Sequence, residues 1–211
     1  MTVTEQTKIR PRRTQAERSA ETRRKLIEAA TDVLCERGYG NATMLEIAKR
    51  AGVSRGASQH HFGTRYDLFD AVAEQLTDKM RALTENLSGP DLSLEERVRI
   101  AIDFYWRLYT SRTFNAILHI YLGSDDSGDK NQLHRSVANA YLGSDQPWFE
   151  MFNDTSLPNK DLRALRRMVL ATLRGLAVGQ FLGIVSTPVT AELRLLESMT
   201  IDKLASGRPV D

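Results

Sequence analysis

Three helix-start patterns follow one another closely in the stretch TMLEIAKRAGVSRGASQHHFGTRYDLF, which begins at Thr43. A side-chain oxygen at a helix N-cap accepts a hydrogen bond from a backbone N–H two or three residues on. An acidic side chain three residues on can in turn accept a hydrogen bond from the N-cap backbone N–H. Gly52 lies between the first two patterns, and glycine tolerates the left-handed conformation that ends many helices. The spacing predicts a helix from about Met44, a turn, a helix from Arg55 to His61 and a long helix to about Leu87, which is a helix-turn-helix layout. The cap residues are Thr43 with Glu46, Ser54, and Thr64 with Asp67.

The rest of the chain also shows helical spacing of apolar residues, with Gly, Pro and Ser at the breaks. No pair of alternating strands is evident, so we expect an all-α protein of about nine helices. In the short helix after Thr43, Leu45, Ile47 and Ala48 form the apolar side. The helix over 94–110 is apolar on nearly every side, which is typical of a central buried helix. Further helices are predicted over 17–37, 113–122, 130–142 and 160–185, with one turn in DQPWFEMF and a last helix after Pro188 ending near Ala205.

The charges of this 211-residue chain are divided unevenly along its length. Residues 1–65 contain 13 Lys/Arg and 7 Asp/Glu, whereas residues 66–211 contain 16 Lys/Arg and 20 Asp/Glu. A basic first part suggests a polyanionic partner, although a solvated basic surface is an equal alternative.

Several protein classes find no support in the sequence. No apolar run approaches the roughly 18 residues of a membrane helix, and the polar N-terminus is unlike a secretory signal. The single cysteine, Cys35, excludes an intramolecular disulfide framework, and we expect it to be a part-buried structural thiol. These features favour the cytoplasm. Since no nucleophile motif, P-loop or dinucleotide fingerprint occurs, we expect neither an enzyme nor a bound cofactor.

The stretch from Thr22 to Val72 resembles the N-terminal DNA-binding domain of TetR-family (tetracycline-repressor-like) transcriptional regulators. The resemblance covers about 50 residues and is specific, because many positions agree at fixed spacing. The rest of the chain resembles the family only in helix number, length and layout. The matching positions are Gly38-Tyr39, Thr43, Ile47-Ala48, Ala51-Gly52-Val53-Ser54, His61-Phe62, Arg65 and Leu68-Phe69.

The resemblance implies a homodimer in which each subunit offers three N-terminal helices to double-stranded DNA with a two-fold-related operator sequence. It assigns 18–65 to the DNA-binding domain and 66–211 to a ligand-binding and dimerisation domain. The implied function is that of a sequence-specific transcriptional regulator, a repressor released from its operator by a small-molecule effector. A protein-interaction adaptor, or a small-molecule carrier with an all-α core, is the alternative. Residues 1–17 form a basic arm, expected to be disordered, that either follows DNA or only solubilises the chain.

The helix from Arg55 to His61 is the expected recognition helix, whose N-terminal residues meet base edges in the major groove. Arg55, Gly56, Gln59 and His60 cover an arc of roughly 140° on it. Arg55 is suited to guanine, Gln59 to adenine, and Gly56 to close approach of the backbone. The expected phosphate contacts are the hydroxyls of Thr43 and Ser54 and, by the resemblance, His61 and Arg65.

Two positions depart from the family pattern. Gln59 stands where tyrosine is common, so it is open whether Gln59 contacts a base, a phosphate or neither. Ser58 stands where an apolar residue is usual, which predicts slightly looser packing. His60 and His61 point about 100° apart on a helix and so cannot easily share a metal ion, and we expect no metal site. Phe62 and Tyr66 are expected in the core.

The C-terminal part contains candidates for an effector site and a dimer interface. Aromatic residues with a few polar tips suit a largely apolar pocket, although simple core packing is the alternative for each. An apolar stripe on the 160–185 helix, with the last helix, can form half of a four-helix dimer bundle, and Gly175 and Gly179 allow close approach of another helix. Packing within one chain is the alternative there. The pocket candidates are Trp106, Tyr109, Phe114 and His119, and the interface candidates are Leu165, Val169, Leu173, Leu176, Leu193 and Leu196.

Overall fold

The computed structural model describes residues 14–86, 92–123, 145–186 and 188–207. Within these ranges the chain forms nine α-helices and no β-strand, which confirms the all-α prediction. The helix predicted over 130–142 lies outside the described residues. The helices are α1 (Gln15–Asn41), α2 (Met44–Ala51), α3 (Arg55–His61), α4 (Arg65–Asn86), α5 (Leu94–Tyr109), α6 (Arg112–Gly123), α7 (Gln146–Met151), α8 (Asn159–Phe181) and α9 (Thr190–Ser206).

Helix α1 is longer at both ends than the sequence predicted. Thr14 caps its start, because the Thr14 hydroxyl accepts a hydrogen bond from Glu17 N (3.2 Å) and the Glu17 carboxylate accepts one from Thr14 N (2.8 Å). The expected disordered arm over 1–17 is therefore wrong for its last four residues, and residues 1–13 lie outside the described ranges. Gly38 interrupts the helix with φ +73°, and helical backbone resumes as far as Asn41.

The predicted caps of the helix-turn-helix are confirmed. The Thr43 hydroxyl accepts a hydrogen bond from Glu46 N at 3.3 Å and begins α2. Gly52 ends α2 at φ +67°, in the left-handed region that favours glycine. The Ser54 hydroxyl then accepts a hydrogen bond from Ala57 N at 3.2 Å and begins α3. Three residues, Thr43, Gly52 and Ser54, therefore determine the turn between the helices.

Reciprocal caps also fix the starts of the next two helices. At α4, Thr64 N donates to the Asp67 carboxylate (2.8 Å) and Asp67 N donates to the Thr64 hydroxyl (3.2 Å). At α5, Ser93 and Glu96 form the same pair of bonds at 2.9 and 3.2 Å. Four orphan donors are satisfied in this way, so both helix starts are defined locally.

One buried core joins all the helices. Helices α1, α4 and α6 pack together, α2 packs on α1, and α3 packs on α2. Helix α5 packs against α8 and α9, consistent with the central position predicted for it. Leu45 is a correction: it is 69% exposed, so the apolar side of α2 consists of Ile47 and Ala48. Among the helices of the described ranges, none combines the length and apolar character needed to cross a membrane.

Arginine–carboxylate contacts attach the short helix α7 to its neighbours. Asp145, immediately before α7, accepts hydrogen bonds from Arg163 (2.7 Å) and from the buried Arg166 (2.9 Å) of α8. Arg97 of α5 binds both carboxylate oxygens of Asp154 at 2.8 and 2.6 Å. The hydrogen bond from Arg97 lowers the pKa of Asp154, because it stabilises the ionised carboxylate.

Helix α8 ends at Phe181, earlier than the predicted residue 185, because the chain folds back on itself. Ile184 N and Val185 N both donate to the Gly179 carbonyl, at 2.8 and 3.1 Å. A Cβ atom placed on Gly179 would lie 2.5 Å from Val185 Cγ2. Gly179 therefore admits the following turn of its own chain, and not the separate helix that we expected.

Candidate nucleic-acid interface

The outer face of α3 presents the four residues that the helical spacing grouped together. Arg55, Gly56, Gln59 and His60 are all exposed. A Cβ atom placed on Gly56 would meet nothing within 4 Å, so open space faces the backbone there. This face offers a guanidinium, an amide and an imidazole, all of which can bond to base edges.

The inner face of α3 is anchored by Ser58 and Phe62. Phe62 is buried, as predicted, and its backbone N–H donates to the Ser58 carbonyl at 2.9 Å. Ser58 is only 1% exposed, and its hydroxyl donates to the Arg55 carbonyl at 2.8 Å. Because this buried hydroxyl has a hydrogen-bond partner, the polar residue is accommodated without an unsatisfied group.

The basic residues of the helix-turn-helix differ in whether an acidic partner neutralises them. Within the described ranges Arg55 and Lys49 make no ion pair. Arg50 instead binds Glu36 of α1 through two hydrogen bonds, at 3.0 and 2.6 Å. The Arg50 hydrogen bond lowers the pKa of Glu36. Arg37 similarly pairs with Glu46 at 2.7 Å. The paired residues hold α2 on α1, whereas Arg55 and Lys49 remain available to a polyanion.

The two adjacent histidines differ in their exposure. Their rings lie 5.6 Å apart at 67°, with His60 exposed and His61 half-buried. The described residues contain no group of three or more His, Cys, Asp or Glu side chains that could hold a metal ion. The position of the histidines at the end of α3 is compatible with contact to DNA.

Arg65, at the start of α4, lies among aromatic rings. Its Cζ is 4.5 Å from the ring centroid of Tyr39, 5.4 Å from that of Tyr66 and 5.8 Å from that of Phe69. Tyr66 is half-buried, so it is less enclosed than the expected core residue. The sequence analysis missed this role of Tyr39, although an aromatic residue directly after a helix-breaking glycine was a visible signal.

The basic residues early in α1 are mostly neutralised. Arg23 lies 5.3 Å above the Phe62 ring and 3.7 Å from the Glu74 carboxylate. Arg24 pairs with Glu28 at 2.6 Å, and Lys25 pairs with Glu21 at 3.2 Å. The excess positive charge of the first 65 residues is therefore less available at α1 than at α3.

Cys35 lies where α1 meets α6. It is half-buried, and its thiol donates to the Arg112 carbonyl at 3.3 Å. Burial raises the pKa of this thiol, although the charge of Arg112 opposes the change. A protonated thiol is a poor nucleophile, which agrees with the structural role expected of Cys35. The Arg112 guanidinium itself binds Asp32 at 2.7 Å and adds a second bond between these helices.

The chain matches a known family over the segment that forms this interface. The family model described as "Bacterial regulatory proteins, tetR family" matches residues 26–72. The HTH-type transcriptional regulator CymR of Pseudomonas putida is 32% identical over 172 residues, which cover 79% of this chain and 83% of CymR. SrpR of the same species is 38% identical over 120 residues, covering 56% of this chain and 54% of SrpR.

Solved structures with lower sequence identity show the same fold over most of the chain. The fatty acid degradation regulator FadR from Bacillus halodurans has a TM-score of 0.65 at 20% identity, covering 87% of this chain and 96% of FadR. The multidrug binding protein EbrR, solved with imidazole, has a TM-score of 0.57 at 20% identity, covering 90% and 96%. The chain belongs to the TetR family. It is a DNA-binding transcriptional regulator of the helix-turn-helix class.

The four candidate effector residues fall into different surroundings. Tyr109 and Phe114 are buried, and their rings meet edge to face at 5.1 Å. Trp106 is half-buried on α5. His119 is half-buried on α6, where its ring meets Phe181 at 5.1 Å, and burial lowers its pKa. Only Tyr109 and Phe114 form a ring pair with each other.

An apolar groove of about 570 Å³ runs between α8 and α9, where the interface candidates lie. Leu165, Leu176 and Leu196 line it, and Leu193 is half-buried nearby. Leu173 is fully buried in its own chain and Val169 nearly so, which leaves them little or no surface for a partner. Met168, Leu195 and Met199 also line the groove, and each of them exposes more than half of its surface.

Proposed function

We propose that this regulator is a repressor that binds double-stranded DNA as a homodimer and leaves its operator when a small, largely apolar molecule binds. The observation that supports this most directly is the outer face of α3, where Arg55, Gly56, Gln59 and His60 are exposed together. Arg55 has no ion-pair partner among the described residues, so a base can take its donors without breaking an internal contact. The chain acts by binding, with no catalytic step, and its place of action is the cytoplasm.

DNA phosphates flank this face at the starts of two helices. The exposed Thr43 and Ser54 cap α2 and α3 with hydroxyls that can also donate to phosphate. The N-terminus of each helix adds a favourable field for an anion. His61 and Arg65 are the further phosphate contacts in this proposal. Base recognition would then come from the outer face of α3, and orientation from the surrounding phosphate contacts.

Homodimer formation is assigned to the groove between α8 and α9. Met168, Leu195 and Met199 expose between half and two thirds of their surface around it. Contiguous exposed apolar surface of this kind marks interaction sites in monomeric proteins. With α8 and α9 of a second copy, the groove would be closed in a four-helix arrangement. Glu192 and Lys203, which also line the groove, would belong to its polar rim.

The domain division follows from these assignments. Residues 18–65 form the DNA-binding domain and 66–211 the effector and dimerisation domain, with the effector held near Trp106, Tyr109, Phe114 and His119. A two-fold dimer places its two recognition helices in successive major grooves, about 34–36 Å apart. An effector that binds better to another spacing of the two heads lowers DNA affinity by linkage.

The experiment is equilibrium binding to duplexes selected from a random-sequence library, measured at several salt concentrations. We expect a preferred two-fold-related site and a steep decline of affinity with salt, because each neutralised phosphate contributes about −0.9 to the logarithmic slope. A screen for small molecules that release the protein from that site tests the proposed response to an effector. A folded dimer without sequence preference at any salt concentration would favour the adaptor or carrier function instead.

A further inference from the structure

Arg65 is enclosed on one side by aromatic faces. It is half-buried, with its guanidinium carbon 4.5 Å from the Tyr39 ring centroid and with Tyr66 and Phe69 slightly further away. It makes no ion pair with any carboxylate among the described residues. The nearby Asp67 is occupied with capping the start of α4. The charge of Arg65 is therefore held in place without being neutralised.

A cation–π contact leaves N–H donors of an arginine available, because the guanidinium carries five of them. The guanidinium attracts an aromatic face through its flat side, while its N–H donors point outwards in the plane. A lysine ammonium has no such division, since it is a single compact charge. Burial raises the pKa of the Tyr39 phenol, against the effect of the Arg65 charge, so the ring under Arg65 is neutral. An arginine held by aromatic rings loses less conformational entropy when it binds a phosphate.

The position of the Arg65 side chain depends on the end of α6. A Cβ atom placed on Gly123, the last residue of α6, would lie 2.5 Å from Tyr39 Cβ and 2.8 Å from its Cγ. Such distances are too short for any side chain, so only glycine admits Tyr39 at this place. Tyr39 follows the non-helical Gly38 and also meets the Phe69 ring at 5.8 Å. The position of Tyr39 is thus determined by α6 on one side and α4 on the other.

We infer that Tyr39 is a positioning residue for DNA binding, which holds the Arg65 guanidinium ready for a backbone phosphate and is itself held by Gly123. This inference rests on the proposed contact between Arg65 and phosphate. It adds a residue that does not touch DNA but sets DNA affinity. It also makes the strength of a phosphate contact depend on the placement of α6, a helix of the proposed effector domain.

A double-mutant cycle separates this role from simple packing. The variants are Tyr39→Leu, Arg65→Ala and the double variant, measured by fluorescence anisotropy with a duplex selected from a random library by the wild-type protein. We expect Tyr39→Leu to weaken binding about fivefold, the scale of one cation–π contact at a partly exposed site. In the Arg65→Ala background it should change the affinity by less than about twofold. Equal losses in both backgrounds, or no loss in either, would overturn the inference.

Two further variants serve as rescue and control. Tyr39→Phe keeps the ring and should restore most of the affinity that Tyr39→Leu loses. Phe149→Leu is the matched control, because the ring of Phe149 in α7 makes a similar cation–π contact, with the Arg163 Cζ 5.5 Å from its centroid. This change should leave DNA affinity unaltered. Failure of Tyr39→Phe to restore binding would overturn the assigned role of the ring, and a Phe149→Leu loss equal to that of Tyr39→Leu would overturn its specificity.

Gly123→Ala tests the contact from the other side and decides the matter if Tyr39→Leu does not fold. Alanine is favourable in a helix, so its added methyl group acts mainly by displacing Tyr39. We expect a weakening of similar size that is absent in the Arg65→Ala background, whereas wild-type affinity would overturn the dependence on α6. A wild-type protein without sequence preference would instead refute the proposed function. Sequence-specific binding with an additive cycle would refute this inference alone.

Discussion

Replacement of Gly56 by alanine should have opposite effects on stability and on DNA binding. Gly56 is exposed in the first turn of α3, its backbone is helical, and an added Cβ atom would meet nothing within 4 Å. Glycine costs a helix interior about 0.5–1 kcal/mol relative to alanine, and less in a first turn. With no new contact to subtract, Gly56→Ala should stabilise the folded protein by about 0.5 kcal/mol.

DNA binding should weaken in the same variant, because the proposal places the Gly56 backbone against the major groove. A methyl group at that contact would hold the helix away from its base edges, and we expect affinity to fall by about tenfold, or about 1.4 kcal/mol. Chemical denaturation measures the first effect, and anisotropy with the selected duplex measures the second. Wild-type affinity in a stabilised Gly56→Ala protein would refute the close approach of this backbone to DNA.

Three other perturbations give distinct outcomes. Arg55→Ala should lose about 1–3 kcal/mol of discrimination at one base pair, whereas Arg65→Ala should weaken binding to all sequences and reduce the salt slope by about 1. Competition among single-base variants of the site distinguishes the two variants, and identical competition profiles would contradict the assignment. Met199→Glu should convert the dimer to monomers in sedimentation equilibrium, because Met199 is 57% exposed beside the apolar groove; an intact dimer would place the interface elsewhere. Arg50 lowers the pKa of Glu36 below its ordinary 4.5, so this pair stabilises the fold above pH 4.5 and the contribution is lost as the pH falls further. Glu36→Gln should therefore reduce the loss of unfolding free energy at acidic pH. An unchanged acidic part of the stability curve would count against the pair.

Local chemistry made the helix starts predictable. Thr43, Ser54 and Ser93 each form the cap bond that their spacing indicated, because such a bond joins residues only three apart. The start of α1 was missed because a polar, basic stretch without apolar periodicity concealed the capping pair of Thr14 and Glu17. Helix ends that depend on chain reversal, such as the one after Gly179, needed the packed structure.

Contacts between distant segments could not be deduced from one sequence. The cation–π contact between Arg65 and Tyr39 and the close approach of Gly123 to Tyr39 join three helices that are far apart along the chain. Helical periodicity likewise identified Leu173 as apolar but could not say which surface covers it, since a core stripe and an interface stripe have the same spacing. In the folded chain Leu173 is covered by its own chain, whereas Met199 of the last helix is exposed.

The central claim is that the outer face of α3 recognises a DNA sequence as part of a two-fold dimer. The most direct test is selection from a random duplex library, carried out in parallel with wild-type protein and with Arg55→Ala. The account predicts that the wild type enriches two inverted half-sites about one helical turn apart, and that Arg55→Ala loses preference at one symmetric base pair in each half. An unenriched library, or identical enriched sites for both proteins, would contradict it.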